Sequence, residues 1–341
     1  MDLHSKDKTQ HPENVELLSA QPPITDFKGL LTTIISAVVC FGIYHILPYS
    51  TDANKGIALL IFVAALWFTE AVHITVTALM VPILAVVLGF PDTDIKKAMA
   101  GFADPTIYIF FGGFALATAL HMQRLDRKIA VSLLRVSGGN MKVAVLMLFA
   151  VTAFLSMWIS NTATAAMMLP LAMGMMDHLD KEKDRKTFVF VLLGIAYCAS
   201  IGGLGTVVGS PPNMIAAKAL NLDFVGWMKL GLPMMLLILP LMLFSMYVIL
   251  KPNLNERVEV KAESIPWTLH RVIALLIFIA AAVAWVFSAK IKEAFGISNP
   301  DTVIALIAAV AVVVFGVAQW KEVARNTDWG VLMLFGGGIS L

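Results

Sequence analysis

Charge is what this sequence is shortest of. Only 14% of its 341 residues are Asp, Glu, Lys or Arg, while 59% are hydrophobic. A soluble domain carries roughly 25% charged residues, so a water-soluble globule is excluded. Cysteine is almost absent. Cys40 and Cys198 both stand in apolar runs and read as small packing residues, which leaves no disulfide framework and no thiolate metal site. The formal net charge of +2 is too small to draw a nucleic-acid partner. The apolar runs do not alternate with polar residues, which excludes a membrane β-barrel. The first 28 residues are polar and charged, so no cleaved secretory leader is expected.

What remains is an all-α polytopic membrane protein, because several uncharged runs reach the ~20 residues that cross a bilayer as a helix. The first is 29–48. A block from Gly56 to Phe90, interrupted by Glu70, holds two short spans with a turn near TEAVHITVTA. Further runs are 105–123, 143–176, 187–217, 225–250, 268–289 and 301–320, and another begins near Trp329. If the tail 1–28 is cytoplasmic and the spans alternate, 18 of the 25 Lys and Arg residues face the cytoplasm. That bias predicts a multi-pass protein of the cell membrane with its N-terminus inside.

The run 143–176 carries no charge over 34 residues. As one helix it would measure about 51 Å, against a hydrocarbon core of about 30 Å. Arg135 and Lys142 precede it and Lys181 to Lys186 follow it, so both flanks are basic. The economical reading is a re-entrant hairpin whose two half-helices meet inside the membrane. The polar stretch SNTAT, 160–164, falls where the tip would be. Unpaired backbone groups at that depth must face protein or a water-filled cavity, and Ser, Asn and Thr can cap them. The same oxygens suit a cation, and a helix N-terminus after Asn161 suits an anion.

A second interruption, GGLGTVVGSPPN at 202–213, breaks the run 187–217 with four glycines and two prolines. A broken helix beside a hairpin tip is the usual substrate and ion site of secondary transporters. FGGFAL at 111–116 returns as FGGGISL at 335–341, 224 residues on and in the opposite orientation, as an inverted repeat requires. Glu70 reads as a turn residue, His73 and His121 as interfacial or packing residues, and Gly112 and Gly113 as a close-packing surface. An intramembrane enzyme is not expected, because no histidine lies in 143–176 or 187–217 to activate Ser160 or Ser210.

FLSMWISNTATAAMMLP at 154–170, GGLGTVVGSPPN, WFTEAV at 67–72, FFGGFALA at 110–117 and LFGGGISL at 334–341 resemble, in order and spacing, the divalent anion–sodium symporters. The resemblance covers residues 28 to 341. It implies an inverted-repeat secondary transporter for dicarboxylates, citrate or sulfate, working as a homodimer by an elevator movement against a fixed scaffold that includes 29–48 and 56–90. It implies that Ser160, Asn161 and Thr162 hold a substrate carboxylate. It also implies a sodium ion at the carbonyls of Ser156 and Ser160, the Asn161 side chain and Gly209, with no other cofactor. His73 stands where the family has proline, which leaves the shape of that turn open.

The domain order expected is a tail 1–28, a first helix 29–48 and a first repeat 56–250 with the hairpin 143–176 and the broken helix 187–220. A cytoplasmic linker 251–267 and the start of a second repeat, 268–341, follow. The first repeat is complete and the second is cut short before its own SNT hairpin, so the chain is expected to be an incomplete form. Sodium-coupled symport of succinate, malate or fumarate is the leading expectation. Sodium-independent exchange, sulfate transport or a non-transporting fragment are the alternatives.

Overall fold

The computed structural model describes residues 27–91, 93–135, 137–257 and 265–341. The tail expected over 1–28 lies outside them up to residue 26, and residues 258–264 of the expected linker lie outside them too. Among the described residues the regular structure is helical, with one isolated bridge between Asn140 and Arg257. In chain order the helices are α1 Phe27–Ile46, α2 Thr51–Thr69, α3 Ile74–Val87, α4 Ile95–Ala98, α5 Pro105–Met122, α6 Leu125–Arg135, α7 Met141–Ser156 and α8 Asn161–Met175. They continue as α9 Arg185–Gly202, α10 Pro211–Ala219, α11 Phe224–Leu250, α12 Leu269–Val286, α13 Ser288–Phe295, α14 Pro300–Val314, α15 Trp320–Asn326 and α16 Trp329–Ser340.

Six of these, α1, α2, α5, α9, α11 and α12, are long and apolar enough to cross a bilayer. Helices α13 and α14, bent by 101° at their junction, make a seventh if counted as one span. The protein is an integral membrane protein. Its outward apolar surface fits a lipid solvent: Phe41, Phe68, Leu236, Phe244 and Ile249 are all exposed on α1, α2 and α11.

Local chemistry sets the helix ends. Ser50, Asp94, Asp104, Asn140, Ser160, Asp223, Thr268 and Asp328 each accept a backbone N–H of the first turn they precede. Glu70 closes α2 in the left-handed region at φ 49°, and His73 opens α3 by accepting the Thr75 N–H on Nδ1 at 3.3 Å. That settles the turn where the family has proline: the imidazole serves as the cap. The run expected as one span over 301–320 ends earlier, at Val314, because Gly316 turns the chain at φ 66° before the short α15 begins.

The helices pack crosswise. Helix α5 lies against α14 and α16 against α3. Thr302 Oγ1 donates to Pro105 O and Gln123 Nε2 to Val317 O, so α5 and α14 run parallel. Gly330 lies against Ile74 and Gly337 against Ala78, so α16 and α3 run parallel too. These two crosswise pairs join partners of matching sequence. T-V-x-A-L occurs at 75–79 in α3 and again at 302–306 in α14, and each of these helices is followed by a left-handed glycine, Gly89 or Gly316.

The close approach in each pair needs a missing side chain. A Cβ on Gly112 would stand 2.5 Å from Ala305 O, and one on Gly337 would stand 2.8 Å from Ala78 O. Gly112→Val is therefore expected to pry α5 from α14 and destabilise the protein by about 1–3 kcal/mol. Gly42→Val, where a Cβ meets nothing within 4 Å, is the control. Thermal unfolding of both variants in detergent checks this, and equal midpoints would contradict the packing role.

Candidate functional site

Helices α7 and α8 form a hairpin turned at residues 157–160, and both lie against α9. At 16 and 15 residues each is about 24 Å long or less, too short to cross the hydrocarbon core. The turn sits beside the break between α9 and α10, where the chain runs through two short 3-10 turns, Gly203–Gly205 and Val207–Gly209.

Side chains stitch the two irregular segments together. The fully buried Ser156 hydroxyl lies 2.6 Å from Ala199 O on α9 and 2.7 Å from Asn161 Oδ1. Its single proton cannot satisfy both oxygens at once. Thr206 Oγ1 donates to Met157 O. Asn213 Nδ2 donates to Gly203 O at 2.7 Å and to Thr206 O at 2.8 Å, and the Trp227 indole donates to Leu204 O at 3.0 Å.

The glycines of the break let main-chain oxygens converge. A Cβ on Gly203 would stand 2.5 Å from Asn161 Oδ1 and 3.1 Å from Gly209 O. A Cβ on Gly209 would stand 2.4 Å from Gly203 O and 3.0 Å from Met157 O. The oxygens fall in two pairs, Asn161 Oδ1 with Gly209 O about Gly203, and Gly203 O with Met157 O about Gly209, in spaces that only glycine leaves open. Uncharged oxygens of this kind suit a hard monovalent cation. Among the described residues no group of His, Cys, Asp and Glu is arranged for a metal such as zinc.

A cleft of about 1050 Å³ reaches the break at Val208, Gly209 and Pro211. Trp158, Ile159, Ser160, Gly209 and Pro211 line its floor, and Phe114, Thr118 and His121 of α5 line one wall. Arg124, Arg127 and Arg325 stand along it with Asp126 and Asp328. The buried Asp126 carboxylate lies 3.0 Å from His121 Nδ1. Burial pushes its carboxyl above the ordinary value, against the opposing pull of the Arg127 N–H and His121. His121, expected as an interfacial residue, is thus part of a hydrogen-bonded pair on the cleft wall.

The residues expected at the site divide as follows. Ser160 caps α8 through the Ala163 N–H at 3.3 Å and faces the cleft. Its carbonyl already accepts the Thr164 N–H at 2.9 Å. Asn161 is half-buried beside Gly203 and is also off the cleft lining, while Gly209 lines the cleft and touches the oxygens about it. Ser156 enters through its hydroxyl. Thr162 is exposed and lies off the cleft lining. The carbonyls of Met157 and Gly203 were not legible in the sequence, since a carbonyl carries no residue-type signal. Trp158 was missed as well. Its indole N–H is buried without a protein partner, although the residue lines the cleft.

A helical hairpin meeting a broken helix inside a bundle of membrane helices is the arrangement that secondary transporters use. Comparison with known proteins specifies which. The family described as citrate transporter matches residues 64–341, and the chain belongs to it. An uncharacterized transporter of Haemophilus influenzae is 53% identical over 92% of this chain and 69% of its own length. One from Methanocaldococcus jannaschii is 38% identical over 93% of this chain and 70% of its own. A protein of Staphylococcus aureus named sodium-dependent dicarboxylate transporter is 27% identical over 92% of this chain and 66% of its own. The resemblance drawn from the motifs holds at the level of the family, which is one of transporters and not of enzymes.

Proposed function

We propose that this protein carries small dicarboxylates of the succinate, malate and fumarate class across the cell membrane, driven by sodium. The observation that carries the reading is the gathering of Asn161 Oδ1 and the carbonyls of Met157, Gly203 and Gly209 about two glycines where the hairpin turn meets the broken helix, with Gly209 also lining the cleft. Sodium binds there, and Ser160, Asn161 and the main chain of Thr162 hold one substrate carboxylate at the start of α8. The cation offsets the cost of desolvating the anion and orders the turn that positions it, which links the two affinities. The name of the Staphylococcus aureus relative supports the choice of sodium and dicarboxylate. The same reading takes the crosswise helix pairs as an inverted repeat, the N-terminus as cytoplasmic and the working unit as a homodimer with an elevator movement.

Uptake of labelled succinate into liposomes holding the full-length protein tests this. A sodium gradient is expected to drive accumulation that a potassium gradient does not. Uptake that needs internal dicarboxylate and ignores sodium would replace symport by exchange, and a preference for citrate or sulfate would replace the substrate class.

A further inference from the structure

The cleft runs along α5 from Phe110 to Met122, and Asp104 stands at the N-terminal end of that helix. Asp104, the residue before α5, does two things at once. Its Oδ1 accepts the Thr106 N–H at 3.0 Å, and its Oδ2 pairs with Lys218 Nζ at 2.5 Å. Burial opposes the carboxylate, but Lys218 and Thr106 together hold its pKa below the ordinary value. Lys218 belongs to the last turn of α10. Six residues on, the Phe224 N–H donates to Asp301 Oδ2 at 3.1 Å, at the start of α14. The Phe224 ring lies 4.9 Å from that of Trp285, whose indole donates to Asp301 O at 3.0 Å. Thr302 Oγ1 donates to Pro105 O at 3.0 Å, which joins the two aspartate-bearing helix starts.

We infer that Asp104 and Asp301 form a two-point clasp on the turn between α10 and α11, which holds the site shut toward that end of the molecule. Helix α10 connects clasp to site. It begins at Pro211 on the cleft floor and ends beside Lys218, a rigid rod of nine residues, about 13 Å long. Any movement that turns the oxygen cluster away from the cleft displaces Lys218 from Asp104. The pair is the charged contact of the clasp, so it sets how the two orientations are populated. The inference rests on the reading of the chain as an alternating-access transporter.

The test uses full-length protein in right-side-out and inside-out vesicles, with Cys40 and Cys198 replaced and Ala163→Cys added on the cleft wall. The ratio of labelling by a membrane-impermeant maleimide from the two sides measures the two orientations. Asp104→Asn keeps the α5 cap and removes the charge. It and Lys218→Gln are each expected to shift the ratio roughly two- to fivefold toward the clasp side, the range for a half-exposed ion pair. The double variant should shift it no further, and Lys218→Arg should keep the parent ratio. Parental ratios in both single variants would overturn the clasp. The readout needs no transport. A shifted ratio without sodium-driven uptake would refute the symport reading alone, and a parental ratio in a transporting protein would refute the clasp alone.

Discussion

Asn161→Ala is expected to lower sodium-driven uptake roughly 10- to 100-fold, the size of effect that follows from losing a bond to a charged group. Asn161 brings its side-chain oxygen up to the break, 2.5 Å from where a Gly203 Cβ would be. Alanine removes that oxygen and also the partner of the Ser156 hydroxyl. The fold should survive, because Ser156 keeps Ala199 O at 2.6 Å and Thr206 still ties the turn to the break through Met157 O. The loss should therefore appear as a weakened response to sodium in a protein of near-parental thermal midpoint. Sodium activation curves of succinate uptake measure it. Near-normal uptake at low sodium would show that the cluster is structural packing.

Gly209→Ala is expected to be nearly as damaging for a different reason. Its added Cβ would stand 2.4 Å from Gly203 O and 3.0 Å from Met157 O. Both atoms belong to backbone, so no rotamer change relieves the clash, and the two 3-10 turns must part. Overpacking of this kind costs about 1–3 kcal/mol and moves the oxygens that define the site. Gly209→Val should be worse still, with the extra methyls filling the cation position. Gly174→Ala, where a Cβ meets nothing within 4 Å, is the matched control in α8. Sodium affinity in Gly209→Ala equal to that of Gly174→Ala would exclude Gly209 from the cation site.

Several features of this site were readable before any coordinates. The length of the uncharged run 143–176 and its basic flanks pointed to a hairpin, and α7 and α8 turn at residues 157–160 within it. Serine and asparagine at its centre pointed to a capped helix start, and Ser160 is that cap. What escaped was whatever rests on proximity without residue identity. The carbonyls of Met157 and Gly203 are anonymous in a sequence. Thr162 looked equivalent to its neighbours, but one residue along a helix is a turn of about 100°, and the side chain is exposed off the cleft. The T-V-x-A-L repeat was also in plain text, yet it became meaningful only when Ala78 and Ala305 were found against Gly337 and Gly112.

By itself the sequence determined that this chain lives in a membrane, that it is helical and where the helices break. Those properties follow from local composition: apolar length decides burial in lipid, and glycine, proline and small polar residues decide where the hydrogen-bond ladder stops. Tertiary structure alone decided which breaks meet, which oxygens approach the glycines there and which aspartates bond the turn after α10. Asp104 and Lys218 are 114 residues apart, and Ser156 lies 43 residues from Ala199. Contacts at such separations depend on how helices cross in three dimensions, and the pattern of one helix carries no information about the neighbour it will meet.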